Sequence, residues 1–487
     1  MVAIPSLKLI DASAVPIGRQ LIQCLRDAIA KGELKPGERL PSTRTLASSL
    51  GIARGTVVDA FDQLRAEGYL DARIGAGTRV VSTLTEMQPL PLAEAAADRQ
   101  PSELPSPEAI SRLEGIARAL APQPLAPFAI AVPENGVAPD DTWRRLGNRI
   151  RASVQAAPSG YADPLGVPEL RAAIADHVRR ARAVACGMDN VIVTSGTQQG
   201  LYLAGRVLLS RGDAVWAENP AYHGLTAVLD ELGMKTCRVP VDEQGFGVET
   251  GLTLCPTARA AFVTPSHQYP LGMPLSMARR QALVAWAERN DTWIVEDDYD
   301  SELRYAGHPF QAIQGLAPAR VVYLGTFSKV LFPSLRLGYV IAPAHLAMAF
   351  AGARAILDRH SPTADQHVLA AYIREGFFEA HIRRIRGLYA ERRAALLSVL
   401  EPALPENCFI QPSDQGMHIL LWLPDGSDDV RIAAEAQAAG LVARAISPLY
   451  AGAVRRPGLM LGFGGFTKQQ IHASAGLLAR LVRNSLA

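Results

Sequence analysis

In GTFSKVLFPSLRLGY, residues 325–339, a single lysine stands among small hydroxyl residues, with Arg336 seven positions on. Lysine is costly to bury, so Lys329 is either a solvated loop residue or an amine kept for covalent chemistry with a carbonyl. In the second case Thr326, Ser328 and Arg336 surround a phosphate, the arginine through a forked geometry that lysine cannot copy. Ser195, Gly196 and Thr197, in VTSGTQQGLYLAG, stand directly ahead of a helical pattern. Backbone N–H groups at a helix start, reinforced by the dipole and by hydroxyls, bind anions; the same triplet also reads as an ordinary helix cap. WIVEDDYDSELRY ends an apolar run in Glu296, Asp297 and Asp298, followed by Tyr299. Paired acids at a strand end also suit Mg²⁺ or plain solvation.

The separate readings converge once their order is considered. Asp297 precedes Lys329 by 32 residues, about one further helix and strand. An aspartate at a pyridinium nitrogen and a lysine at an aldehyde carbon are the two polar anchors of pyridoxal 5'-phosphate. The aspartate keeps the ring nitrogen protonated, which makes the ring an electron sink. Tyr299 is placed to bond the ring's phenolic oxygen. Tyr222, in ENPAYHG, either lies over the ring or fills the core. Coincidence would have to supply an anion cap, an acid, a tyrosine and a lysine–arginine pair in sequence, so Lys329 is read as the Schiff-base lysine.

These residues need a scaffold of more than one core. At 487 residues the chain implies roughly two to four domains. Five scattered cysteines, never in a C-x-x-C pair, argue for reduced thiols and against a disulfide framework or zinc site, and no metal is expected. MVAIPSLKLIDASAVPIG lacks a basic stretch followed by a long apolar run, and no run of about 18 apolar residues appears. A cytoplasmic protein with no membrane partner is therefore expected. Residues 1–82 hold 11 Lys+Arg against 8 Asp+Glu, while the whole chain carries only +2. A mildly basic head on a neutral body fits a nucleic-acid-binding module.

That head reads as helices. Apolar residues at 17, 21, 22, 25, 28 and 29 share one helical face. Pro41 stops the turn-rich GELKPGERLPS, Ser42 or Thr43 caps a short second helix, and Gly51 ends it. In the third, Val57, Val58, Phe61 and Leu64 share a face, with Arg54, Thr56 and Arg65 mostly off it. Two short helices joined by a glycine turn form helix-turn-helix geometry, whose second helix enters a major groove. LDARIGAGTRVV then reads as a small hairpin, or wing, with Arg73 and Arg79 near its tip. A protein-interaction module is the competing reading.

Residues 83–127, rich in Pro, Ala and polar residues, read as an exposed linker with a short helix at 107–120. Residues 128–487 form the body, in which VIVTSG, AVWAENP, AAFVTPS, TWIVEDD and VVYLGTFS read as buried strands alternating with helices. The fold class is thus α/β with a mainly parallel sheet, and functional residues should gather at strand ends.

LPSTRTLA, GIARGTV, LRAEGYL and GAGTRV resemble the GntR-type winged helix-turn-helix. By that resemblance Arg44, Arg54, Thr56 and Gly77 are the DNA contacts. GYADPLGVPELR, SGTQQG, ENPAY, TPSHQYPLG, EDDYDSE and GTFSKVLFPSLRLGY resemble fold-type-I, class I aminotransferases, which carry a smaller C-terminal α+β subdomain. The whole is similar to MocR-subfamily regulators. The resemblance implies a homodimer that binds a DNA operator and senses an amino compound, or the cofactor itself, through an aldimine at Lys329. A working aminotransferase with accessory DNA binding and a dimerisation scaffold are the rival readings. One departure stands out. In GLMLGFGGF, Met460 occupies the position where relatives often carry a carboxylate-gripping arginine, leaving Arg444, Arg455 and Arg456 as possible substitutes.

Overall fold

Buried apolar faces at helical spacing build the first unit, which ends at Pro107; the second runs from Glu108 to Ala487. The computed structural model describes residues 15–73, 77–82, 108–134, 141–153, 158 and 160–486. Helix α1 (Ile17–Ala30) buries Leu21, Leu25 and Ala28. Helix α2 (Thr43–Leu50) is capped by Ser42, whose hydroxyl accepts the Thr45 N–H at 3.1 Å, and closes on Gly51 at φ +67°. Helix α3 (Arg54–Ala66) buries Val57, Ala60, Phe61 and Leu64 against the other two. Strands β1 (Leu70–Arg73) and β2 (Gly77–Val80) pair antiparallel as the wing. The wing has one more participant than the sequence indicated. Leu40 N–H donates to Thr78 O and Val80 N–H to Glu38 O, both at 2.9 Å, so residues 38–40 extend its edge.

In the second unit an eight-stranded sheet carries the functional loops. Its strands in chain order are β3 (Val191–Thr194), β4 (Ala214–Asn219), β5 (Lys235–Asp242) and β6 (Gly245–Phe246). They continue with β7 (Ala260–Val263), β8 (Trp293–Asp298), β9 (Val321–Thr326) and β10 (Gly338–Ile341). The spatial order is β3-β10-β9-β8-β7-β4-β5-β6. The pairs β9·β8, β8·β7, β7·β4 and β4·β5 are parallel, while β10 runs against both neighbours. Their apolar residues are buried on both faces, as covered parallel strands require. The five expected strands are present; β5, β6 and β10 join them.

Helices α4 (Glu108–Ala119), α5 (Asp141–Arg151), α6 (Pro168–Arg182), α7 (Thr197–Leu208) and α8 (His223–Glu231) precede or flank the early strands. After them come α9 (Val248–Leu254), α10 (Met277–Arg289), α11 (Ala347–Leu357), α12 (Thr363–Arg374) and α13 (Phe377–Leu400). A second, antiparallel sheet of order β11-β12-β14-β13 follows. It comprises β11 (Phe409–Ile410), β12 (His418–Trp422), β13 (Arg444–Ala445) and β14 (Gly458–Gly462), with helices α14 (Asp429–Ala438) and α15 (Lys468–Leu486).

The segment read as linker is partly built into this unit. Residues 83–107 lie outside the described residues, but α4 and the chain to Pro127 belong to the second unit. Arg112 pairs with Glu231 at 2.8 Å. Pro127 O accepts from Val442 N–H and Phe128 O from Gly462 N–H, each at 2.8 Å. Free edge groups beside β13 and β14 thus bind a stretch whose composition alone looked unstructured.

Candidate functional site

Parallel strands deliver their C-terminal ends to one side of a sheet, and there a cavity of about 310 Å³ opens. The turn after β9 supplies Lys329, the end of β8 and its following turn supply Asp297, Tyr299 and Asp300, and the first residue of α7 supplies Thr197. Tyr222 enters from the N-terminus of α8. Five of the residues singled out from the sequence (Thr197, Tyr222, Asp297, Tyr299 and Lys329) thus line one space.

Its two central titratable groups are both shifted by burial. Burial pushes Asp297 up to about 7, aided by the neighbouring Asp298 and Glu218, while Lys329 opposes the shift. The Asp297 Oδ1 is buried with no hydrogen-bond partner among the described residues, a placement that costs free energy unless a donor arrives. Burial likewise lowers Lys329, against the pull of Asp300 and Asp297. That favours the neutral, nucleophilic amine. Behind them, buried Glu218, raised to about 7 by desolvation, accepts the Thr264 N–H at 3.1 Å, the Thr264 hydroxyl at 2.6 Å and the Gln268 amide at 3.1 Å. Thr264 and Gln268 in turn hold the loop of Tyr269.

A close approach of Gly196, Gly338 and Arg336 adjoins the cavity at Thr197. Gly196, at φ +109°, precedes α7, and a Cβ there would lie 3.6 Å from Arg336 Nη1. A Cβ on Gly338 would lie 2.8 Å from Gly196 Cα, so glycine is needed for β10 to approach so closely. Arg336 is exposed, and among the described residues its guanidinium has no partner. Thr326 accepts the Ser328 N–H at 3.1 Å, bracing the turn that carries Lys329. Ser195 precedes the cap, and its N–H donates to Gln199 Oε1 at 2.9 Å.

Several site residues gave no signal in the sequence. His267 Nδ1 lies 2.8 Å from Asp300 Oδ2 and 3.1 Å from the Tyr299 hydroxyl, linking two cavity residues through a buried imidazole. Burial drives His418 down to about 4, so it is neutral near pH 7 and its Nε2–H donates to Pro270 O at 3.2 Å. Tyr269 meets Tyr222 edge-on at 5.6 Å. Gln123, Leu125 and residues 129–132 close another wall. Of the three arginines weighed as substitutes at Met460, Arg444 alone lines the cavity; Arg455 donates to Gly452 O and Arg456 lies over the Trp422 ring at 4.1 Å.

In the first unit Arg44 and Arg54 are exposed, at the starts of α2 and α3. Among the described residues neither guanidinium has a partner. Thr56 is half-buried, and a Cβ on Gly18 of α1 would meet its methyl at 3.3 Å. Gly77, at φ +79°, lies under the Arg39 side chain, where a Cβ would meet Nε at 2.7 Å. The wing therefore presents Arg39 beside Arg79, while residues 74–76 at its tip and the Arg73 side chain lie outside the described residues.

Comparison with known proteins matches both halves. The family profile of bacterial regulatory proteins of the gntR family matches residues 17–80, and that of aminotransferase class I and II matches residues 135–456. The probable rhizopine catabolism regulatory protein MocR of Rhizobium meliloti is 38% identical, over 93% of this chain and 90% of that protein. The pyridoxine biosynthesis transcriptional regulator PdxR of Corynebacterium glutamicum is 36% identical, over 92% of each. Among solved structures, Pyrococcus horikoshii kynurenine aminotransferase in complex with PMP shares 27% identity at a TM-score of 0.69, over 83% of this chain and 100% of that one. Helices, wing, sheet order and near full-length identity agree, and the chain belongs to the MocR-type regulators of the gntR family, in which a helix-turn-helix unit is joined to a class I aminotransferase fold.

Proposed function

We propose that this transcriptional regulator binds pyridoxal 5'-phosphate in the cavity and uses it to sense an amino compound, or the cofactor itself. The observation that carries the reading is Asp297, an acid with an orphaned buried oxygen on the same cavity as Lys329. When bound, the cofactor supplies an aldehyde that condenses reversibly with amines. Asp297 would accept a hydrogen bond from the protonated ring nitrogen, and Lys329 would present a neutral amine to the aldehyde carbon. Tyr222 would flank the ring and Tyr299, oriented by His267, would stand near its phenolic oxygen. Ser195, Gly196, Thr197, Thr326, Ser328 and Arg336 would hold the phosphate.

In this reading an effector amine would compete with the Lys329 amine for the cofactor's aldehyde, and the differential binding of ligand to two conformations would shift DNA affinity. Arg54 and Thr56 face base edges of a DNA operator, with Arg44 and the Gly77 wing at its backbone. Transaminase turnover with common α-amino acids is slow or undetectable, because uncharged Met460 positions the α-carboxylate poorly. The protein acts in the cytoplasm, where its DNA lies; no described helix is long and apolar enough to cross a membrane. It is a homodimer through the second unit, whose α11 leaves Met348 75% and Ile356 86% exposed.

Borohydride reduction of the purified yellow protein, followed by peptide mass spectrometry, tests the assignment. The cofactor adduct is expected on Lys329, absent in Lys329→Ala. An adduct on another lysine overturns it, and an unaltered effector response on DNA in Lys329→Ala overturns the exchange at that lysine.

A further inference from the structure

We propose that Arg444 is the anion anchor of the cavity, so that the effector is an amino compound bearing a carboxylate or sulfonate gripped by this guanidinium. The proposal rests on the reading that the cavity takes an amino compound at Lys329. Arg444 opens β13 directly opposite Met460 of β14. Met460 is fully buried in an apolar cluster with Leu420, Trp422 and Ile446, and offers no charge. Arg444 lines the same cavity as Lys329. Burial raises Tyr222 and Tyr269 and the Arg444 charge opposes that rise, while burial lowers His223 and the same charge adds to the fall.

Among the described residues, nothing accepts a hydrogen bond from the Arg444 guanidinium or pairs with its charge. Nearby Arg238 is engaged, donating to Glu218 O at 2.8 Å and Leu449 O at 3.1 Å. A partly desolvated guanidinium without a partner is unfavourable, and a bidentate anion corrects it. The strand beneath it is held firmly. Buried Asp429 accepts the N–H groups of Ile446 at 3.1 Å, Ser447 at 2.8 Å and Gly458 at 3.0 Å. One carboxylate thus ties the chain just past Arg444 to the start of β14 and fixes the base from which the guanidinium extends. Tyr222 and Tyr269 supply an apolar wall for whatever links the ligand's two ends.

Because Arg444 springs from the edge strand rather than from β14, the anion sits away from the place a β14 arginine would give it. The spacing between amine and anion then becomes the feature selected. The test is a titration of cofactor-loaded protein with straight-chain amino carboxylates of increasing length, an amino sulfonate, and the matching plain amines. Binding is followed by cofactor absorbance and independently by calorimetry. Wild type is expected to bind at least one anionic amine about 10–100-fold more tightly than its uncharged counterpart. Arg444→Gln should abolish that preference while still taking plain amines; Arg444→Lys should keep part of it; and exposed Arg455→Ala should keep all of it. An unchanged preference in Arg444→Gln overturns the proposal, and if that variant does not fold, full wild-type preference in Arg444→Lys does so instead. A wild type that takes amines without regard to charge removes Arg444's role alone. One that takes no amine of any kind overturns this proposal together with the sensing reading.

Discussion

Asp297→Asn should stabilise the cofactor-free protein and weaken its hold on the cofactor. The Asp297 carboxyl rises from its ordinary 3.8 to about 7 on folding, chiefly through burial. Between those values the folded chain binds more protons at this site than the unfolded chain, so stability falls as pH rises from about 4 and levels off above about 7. A shift of about three units is worth ~4 kcal/mol at most. Asp297 borders an open cavity, which screens the charge, so about 1–2 kcal/mol is the expected cost at pH 8. Asparagine cannot ionise and does not carry that cost.

For a unit of this size the gain is about 1–3 °C in melting temperature at pH 8, shrinking towards zero near pH 4. Calorimetry of cofactor-free wild type and variant at pH 5, 6, 7 and 8 measures it. In the loaded protein the sign reverses, because the variant lacks the charge that pairs with the ring nitrogen. Cofactor affinity should fall by about 10–100-fold in an absorbance titration. A melting difference that does not grow between pH 5 and 8, or an unchanged cofactor affinity, would refute the placement of Asp297.

Three further outcomes are expected. Arg54→Ala should relax sequence preference at a cost of about 1–3 kcal/mol on the best operator, whereas Arg44→Ala should weaken all sequences and reduce the salt slope by about one, both read by gel shift. Asp429→Ala strands the buried N–H groups of Ile446, Ser447 and Gly458, and should destabilise the second unit by about 3 kcal/mol in denaturant unfolding. Ile356→Asp, which places a charge on the bare face of α11, should shift the protein towards monomer in sedimentation without altering the cofactor's absorbance.

What the sequence revealed and what it hid follow from the range of the interactions. Local rules located α1 to α3, the Ser42 cap and the Gly51 stop, because each is decided within a few residues. The apolar runs ending in Asp297 and Lys329 announced β8 and β9, since covered parallel strands leave such runs with polar ends. Strand β5, KTCRVPVD, fully buries only Val239 and so shows no continuous apolar run. The coupling of His267 to Asp300 spans 33 positions, and Arg444 reaches the cavity from a two-residue strand. Residues 120–132 carry no periodicity at all, yet they wall the site because the free edge of the second sheet needs their carbonyls. The Ser195 N–H is taken by Gln199, four positions on, a side-chain contact that the SGT triplet alone did not announce.

The cavity's two central groups are biased in opposite directions towards the same result. Burial raises the acid Asp297 and lowers the base Lys329, so both are driven towards neutrality while the site holds only protein. A ligand with a protonated ring nitrogen makes ionised Asp297 favourable, and attachment at Lys329 removes a group that the interior tolerates poorly. In the proposed reading ligand binding would therefore change the charge state of the end of β8 and of the turn after β9 together, and these neighbouring strands share a parallel register. Such a site responds to occupancy even without turnover, because each protonation state belongs to a different filling of the cavity. An enzyme needs the same groups, but it also needs its substrate's carboxylate held in line for the bond that breaks. Here the charge at the end of the second sheet stands on β13 instead of β14. In the proposed reading the binding chemistry is retained while the geometry for rapid turnover is displaced, the combination a durable signal requires.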